Sequence, residues 1–188
     1  MSLSKQWKGV AGYMIRKPDV FFSEYGERHG IGYPLQFLLV TVAVSIVPLL
    51  GVAVVLNSTS PLSAVFAAAF VVGIGFGLWV GIVLEGLLAH AIASLFGASG
   101  ATQTLEAYAF PSLVRYGLWW FPIVNIVLGC YGLYLQIKGL SAFHDISMGN
   151  AAIAAVVAMV LVFGVLALVM PLVAAVLAAF VLDMGAQT

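Results

Sequence analysis

The chain has 188 residues, 63% of them hydrophobic and only 7% charged, and its mean hydropathy is +1.15. A soluble domain of this size needs far more charge to cover its surface, so the composition excludes one and specifies an integral membrane protein. Seven Lys and Arg balance seven Asp and Glu, which leaves no basic excess for nucleic acid and no acidic tail for a cationic partner.

The first segment, residues 1–34, carries Lys5, Lys8, Arg16, Lys17 and Arg28 with Asp19, Glu24 and Glu27. No apolar core of secretory type separates these charges, and a cleaved signal peptide is not expected. Leu3, Trp7, Val10 and Met14 recur at three- and four-residue spacings, which predicts a short amphipathic helix ended at Pro18. That helix either lies at the membrane surface or packs on the rest of the protein.

About 20 apolar residues at 1.5 Å rise cross a hydrocarbon core of about 30 Å, and the rest of the chain divides accordingly. Residues 35–56 form the first predicted span, ended by the polar turn NSTSP. Residues 62–96 form a second, too long for one perpendicular crossing, so it tilts or projects. Residues 103–119 form a shorter third with Pro111 in it, and WWFP marks an interfacial turn. Residues 122–143 form the fourth and 150–182 the fifth, with a kink expected at Pro171 and a tail over 183–188. The expected fold is an all-α five-helix transmembrane bundle with an amphipathic N-terminal helix. If 103–119 is instead re-entrant, four full spans remain and the carboxyl terminus moves to the inner side.

Five Lys and Arg precede the first span and none lies in NSTSP, so the amino terminus is expected on the cytoplasmic side of the cell membrane. Lys138, near the inner end of the fourth span, agrees with this orientation, whereas Arg115, towards the outer end of the third, opposes it.

Ionisable groups inside a membrane are costly, at least about 2.5 to 3.5 kcal/mol each on insertion scales, and need partners facing the bundle. Glu85, Glu106, Lys138, His90 and Tyr108 form the candidate intramembrane polar site, with His144 and Asp145 at the same face. Glu85 or Glu106 paired with Lys138 is the most economical arrangement. It reads either as a proton or cation site or as an ion pair that orients helices. In GIGFGLWVGIVLEGLLAH, Gly73, Gly77 and Gly81 recur every fourth residue, and the next step of four reaches Glu85. Such a stripe lets helices approach closely; a neighbouring helix of the same chain is expected to fill it, with a homodimer seam as the alternative.

No catalytic or metal constellation is present: His29, His90 and His144 lack metal spacing, and Cys130, the one cysteine, cannot form an internal disulfide. No cofactor is expected. His144 suits the carboxyl end of the fourth helix, and Asn150 is the expected cap of the fifth.

TLEAYAFPSL at 104–113 and GCYGLYLQIKGLSAFHDISMGNAA at 129–152 resemble the Yip family, the Ypt/Rab-interacting membrane proteins, in its archaeal and bacterial branch. The residues that carry the resemblance are Tyr108, Pro111, Tyr131, Tyr134, Leu135, Gly139, Leu140 and His144, with KPDVFFSE and YPLQF upstream. The resemblance implies five membrane helices with a cytoplasmic amino terminus and, for eukaryotic members, a link to vesicle traffic and small GTPases. The segment of about 34 residues before the first span contains nothing like the longer acidic cytoplasmic domain of those members, so GTPase binding is carried to no residue here. Two functional expectations follow. One is a non-enzymatic scaffold that binds lipids or membrane proteins and self-associates. The other is a channel or transporter for a small solute or ion, with Glu85, Glu106 and Lys138 lining a cavity.

Overall fold

The computed structural model describes residues 3–27 and 29–186. Arg28, residues 187–188 of the tail and the side chain of Leu3 lie outside the described residues. Every described secondary-structure element is helical. Helix α1 (Leu3–Gly9) runs directly into a π-helical turn over Val10–Met14 that stops short of Pro18, and Pro18 takes the first position of the next helix, α2 (Pro18–Glu24). The long helices are α3 (Gly32–Leu56), α4 (Pro61–Ser94), α6 (Pro122–His144) and α7 (Met148–Ala186), with the 15-residue α5 (Ala101–Arg115) between α4 and α6. Four of them are long and apolar enough to cross a membrane: α3, α4, α6 and Met148–Val169 of α7. Helix α5 is shorter than the predicted 103–119 segment, and residues 116–121 continue it without helix.

Local chemistry sets the helix ends. The α3–α4 turn closes with Asn57 Nδ2 donating to the Ala53 carbonyl at 2.8 Å and Ser60 Oγ accepting from the Ser63 N–H at 3.4 Å. Between α4 and α5 the backbone takes positive φ at Gly97 (98°) and Gly100 (85°), which side chains other than glycine's rarely tolerate. Asp145, in the left-handed region, ends α6. The cap of α7 is Ser147 rather than Asn150: Ser147 Oγ accepts from the Asn150 N–H at 3.2 Å, because α7 begins two residues before the expected position.

The amino-terminal arm packs on the bundle. Val10 and Met14 are fully buried, Trp7 Nε1 donates to Thr41 Oγ1 of α3 at 3.1 Å, and Tyr131 Oη of α6 donates to the Ile15 carbonyl at 2.9 Å. Helix α5 sits at the centre, eleven of its fifteen residues buried between α3, α4 and α6. Gly132 of α6 makes the closest approach: a Cβ there would lie 2.4 Å from Arg115 Cβ and 2.8 Å from its backbone N. Gly139, about two turns further on, meets Phe22 and Ala107 in the same way. At that end of the bundle, buried alanines form the tight seams. Ala93 and Ala107 pack with Ala151 and Ala154, and Ala89 with Ala158.

Candidate functional site

The polar residues of the bundle resolve into three places. The first is at Glu85, 1% exposed on α4. Its Oε1 accepts from Arg115 Nη1 at 2.7 Å and its Oε2 from Tyr116 Oη at 2.9 Å, so both carboxylate oxygens are engaged. The same Arg115 Nη1 donates to Gln136 Oε1 on α6, and the guanidinium lies 5.0 Å from the centre of the Tyr116 ring. The geometry follows from the elements: α5 ends at Arg115, Tyr116 turns away from it, and Gly132 lets α6 come close enough for Gln136 to reach the cation. Lys138 takes no part. It pairs with Asp19 of α2 and lies 5.8 Å from the Tyr134 ring centre. The expected pairing of Glu85 or Glu106 with Lys138 is therefore replaced by Glu85–Arg115 and Lys138–Asp19, because the rotation of α6 turns Lys138 towards α2. Arg115, 5% exposed and paired inside the bundle, is not a loop cation, and its weight against the predicted orientation disappears.

The second place is the amino-terminal end of α5. Glu106 Oε1 lies 3.0 Å from His29 Nδ1, which also meets Tyr25 Oη at 3.2 Å, and His29 Nε2 lies 3.3 Å from Glu27 Oε2. Burial, with Glu106 and then Tyr33 and Glu27 adding, raises the Tyr25 phenol well above its usual range and keeps it protonated. On the other face of α5, Thr104 Oγ1 sits between His90 Nδ1 at 2.8 Å and His144 Nε2 at 2.7 Å, joining α4, α5 and α6 through one hydroxyl. One hydroxyl donates one proton and accepts two, so at most one ring nitrogen accepts from Thr104 and at least one donates to it. Glu106 and Gln103 also line two adjoining recesses of about 400 and 300 Å³. Tyr108 lies between the two polar places, 1% exposed, against Gly86 of α4.

The third place is the glycine stripe. Gly73 and Gly77 have nothing within 4 Å of a Cβ position, and Gly81 meets only Leu166 Cδ1 at 3.9 Å. The neighbouring helix expected to fill the stripe does not. The three glycines line a groove of about 550 Å³ between α4 and α7, with Val162, Phe163 and Leu166 opposite and Glu85 and Tyr116 at its end.

Sequence reasoning missed Arg115 and His29 as partners, and Tyr116, Gln136 and Thr104 altogether. One signal was available: the span region holds two carboxylates, Glu85 and Glu106, and two candidate cations, Arg115 and Lys138. Among the described residues no group of three or more His, Cys, Asp or Glu could hold a metal ion. The Glu85 cluster holds a buried ion pair that ties α4 to the end of α5.

Long apolar helices, a buried internal ion pair and a short central helix define a multi-pass helical membrane protein. The Yip1 domain model matches residues 12–170, and the chain belongs to the Yip family. Comparison with curated proteins and with solved structures gave no match. The family is one of non-enzymatic membrane proteins whose members interact with membrane proteins such as Rab GTPases.

Proposed function

We propose that the protein is a five-crossing membrane scaffold that receives an apolar segment of a partner membrane protein in the groove between α4 and α7, and that it neither catalyses nor conducts. The observation that carries this reading is the state of Glu85. Each oxygen of Glu85 has a partner, Arg115 on one and Tyr116 on the other, and the side chain is 1% exposed, which supports a helix-pairing role over a titrating transport site. The groove beside it is apolar and wide enough for side chains of another helix. A second copy of this chain is the other occupant that fits a small-residue surface.

The pairing of α5 with α6 supports five crossings rather than four. The Thr104–His144 contact joins the start of α5 to the end of α6, and Gly132 lies against Arg115. Ten further residues of α6 therefore extend past the end of α5. A 23-residue helix is about 34 Å long, enough to span the hydrocarbon core. Helix α5 together with residues 116–121 then carries the chain to the far face where Pro122 begins. Five Lys and Arg precede α3, and Lys138 lies near the carboxyl end of α6, which supports a cytoplasmic amino terminus in the cell membrane.

The test uses the full chain in proteoliposomes and in native membranes. With Cys130→Ala as background, Gly77→Cys is expected to cross-link to a partner segment, and Glu85→Gln to leave ion and proton permeability at the level of empty vesicles. Proton or cation flux through the wild type that Glu85→Gln or Glu106→Gln abolishes would overturn the scaffold reading.

A further inference from the structure

The connection between α2 and α3 meets the first turns of α5, and one imidazole ring joins them. His29 lies in that connection and reaches Glu106 across 77 positions of sequence. Its Nδ1 is 3.0 Å from Glu106 Oε1, its Nε2 is 3.3 Å from Glu27 Oε2, and its ring stacks on Tyr33 of α3 with centres 3.8 Å apart. A neutral imidazole carries one N–H and one lone pair, so it bonds one carboxylate and turns a lone pair on the other. The imidazolium has two N–H groups and bonds both.

The other groups around the ring do not change charge with it. Tyr25 Oη, 3.2 Å from Nδ1, keeps its proton because burial, with Glu106, Tyr33 and Glu27 adding, raises the phenol. Tyr33 presents its ring face. On α2, Glu24 is exposed and Asp19 pairs with Lys138 of α6, while His144 of α6 bonds Thr104 on the opposite face of α5. The turn between α4 and α5, residues 95–100, has no titratable side chain, and Arg28 lies outside the described residues.

The two carboxylates differ in what they can do when the ring proton leaves. The Glu106 side chain is 3% exposed and needs the N–H, whereas that of Glu27 is 49% exposed and can turn to water. The N–H that remains therefore stays on Glu106, and the Glu27 contact is the one that breaks. That contact stands where the two recesses meet: Glu27 lines the one of about 400 Å³, His29 the one of about 300 Å³, and Glu106 with Gln103 lines both.

We propose that His29 is a pH-sensitive latch, which when protonated ties Glu27 to Glu106 across the start of α5 and when neutral releases Glu27 and opens the boundary between the two recesses. The latch is closed on the acid side and opens as pH rises through the range in which histidines titrate, between about pH 5 and 8. Protons reach it directly, because it lies where α3 and α5 begin, outside both helices' interiors, with its side chain 20% exposed.

The experiment measures the melting midpoint of the full chain in lipid nanodiscs at pH 6 and pH 8, for the wild type and for variants at the latch. Relative to His29→Gln, the wild type is expected to lose about 3 °C or more in going from pH 6 to pH 8, the weight of one charge-assisted hydrogen bond in a chain of this size. The comparison with the variant removes the contributions of His90 and His144, which are present in both. Glu27→Gln is expected to behave as His29→Gln does, and His29→Arg, whose cation cannot be lost in this range, to show no loss between the two pH values relative to His29→Gln. Nitrogen-15 spectra of histidine-labelled wild type read the ring with no substitution at the latch: both nitrogens of His29 are expected to carry protons at pH 6 and one at pH 8. A wild type that loses no more than His29→Gln, a Glu27→Gln variant that keeps the full wild-type loss, or a His29 ring in the same protonation state at pH 6 and pH 8 would each overturn the proposal.

Discussion

The two ends of α4 hold the same kind of small residue to opposite purposes. Towards its carboxyl end, Ala89 and Ala93 are fully buried against α5 and α7, and Gly86 lies against Leu105 and Tyr108. Towards the middle and amino end, Gly73 and Gly77 face open space in a groove. The packed region also holds the polar contacts, including Glu85–Arg115 and His90–Thr104–His144, whereas the groove is lined almost wholly by apolar side chains. Small residues permit close approach; the polar cross-links beside them decide where approach occurs.

The contrast can be broken hardest at Arg115. Arg115→Met strands Glu85 as an uncompensated buried charge, and the loss of unfolding free energy in mixed micelles is expected to be about 3–5 kcal/mol. The double variant with Glu85→Met should recover much of it. A loss close to that of a surface substitution would mean that Glu85 is solvated and the ion pair is not what locks this half. Gly132→Ala comes next. The added methyl would overlap Arg115 Cβ and backbone, so α6 must move off α5 at a cost of about 1–3 kcal/mol, measured the same way. The smallest effect sharpens the comparison from the other side. Gly77→Ala meets nothing within 4 Å, and the isolated protein should change by no more than about 0.5 kcal/mol while capture of a groove partner weakens. A large loss of stability in the isolated protein would show that the groove closes against its own chain.

An all-helical, membrane-crossing chain was legible because apolar length is a one-dimensional signal that spanning a bilayer imposes directly. The family was legible as well, from short motifs such as Tyr108 with Pro111 and the run from Tyr131 to Leu140. Pairing was not. Glu85 chooses between Arg115 and Lys138 by the rotation of α6 and by where α5 stops, and neither is written in local composition. The glycine stripe shows the same limit: a spacing of four predicts a smooth face, while what stands opposite it depends on the tilt of α7. Gly132, which makes the closest helix approach, belongs to no such stripe. Its signal would have been a small residue placed opposite a bulky one on a neighbouring helix, which only a known α5–α6 register supplies.

The separation of thirty positions from Glu85 to Arg115 also imposes an order on biogenesis. During synthesis α4 emerges with a bare carboxylate well before its counter-charge exists, and α5, with Glu106 and Arg115 in a short segment, is too polar to enter lipid alone. Release of α4 and α5 into the bilayer together would neutralise this charge internally at the insertion machinery. Truncated chains ending between Glu85 and Arg115 should stay at that machinery longer than chains that include Tyr116.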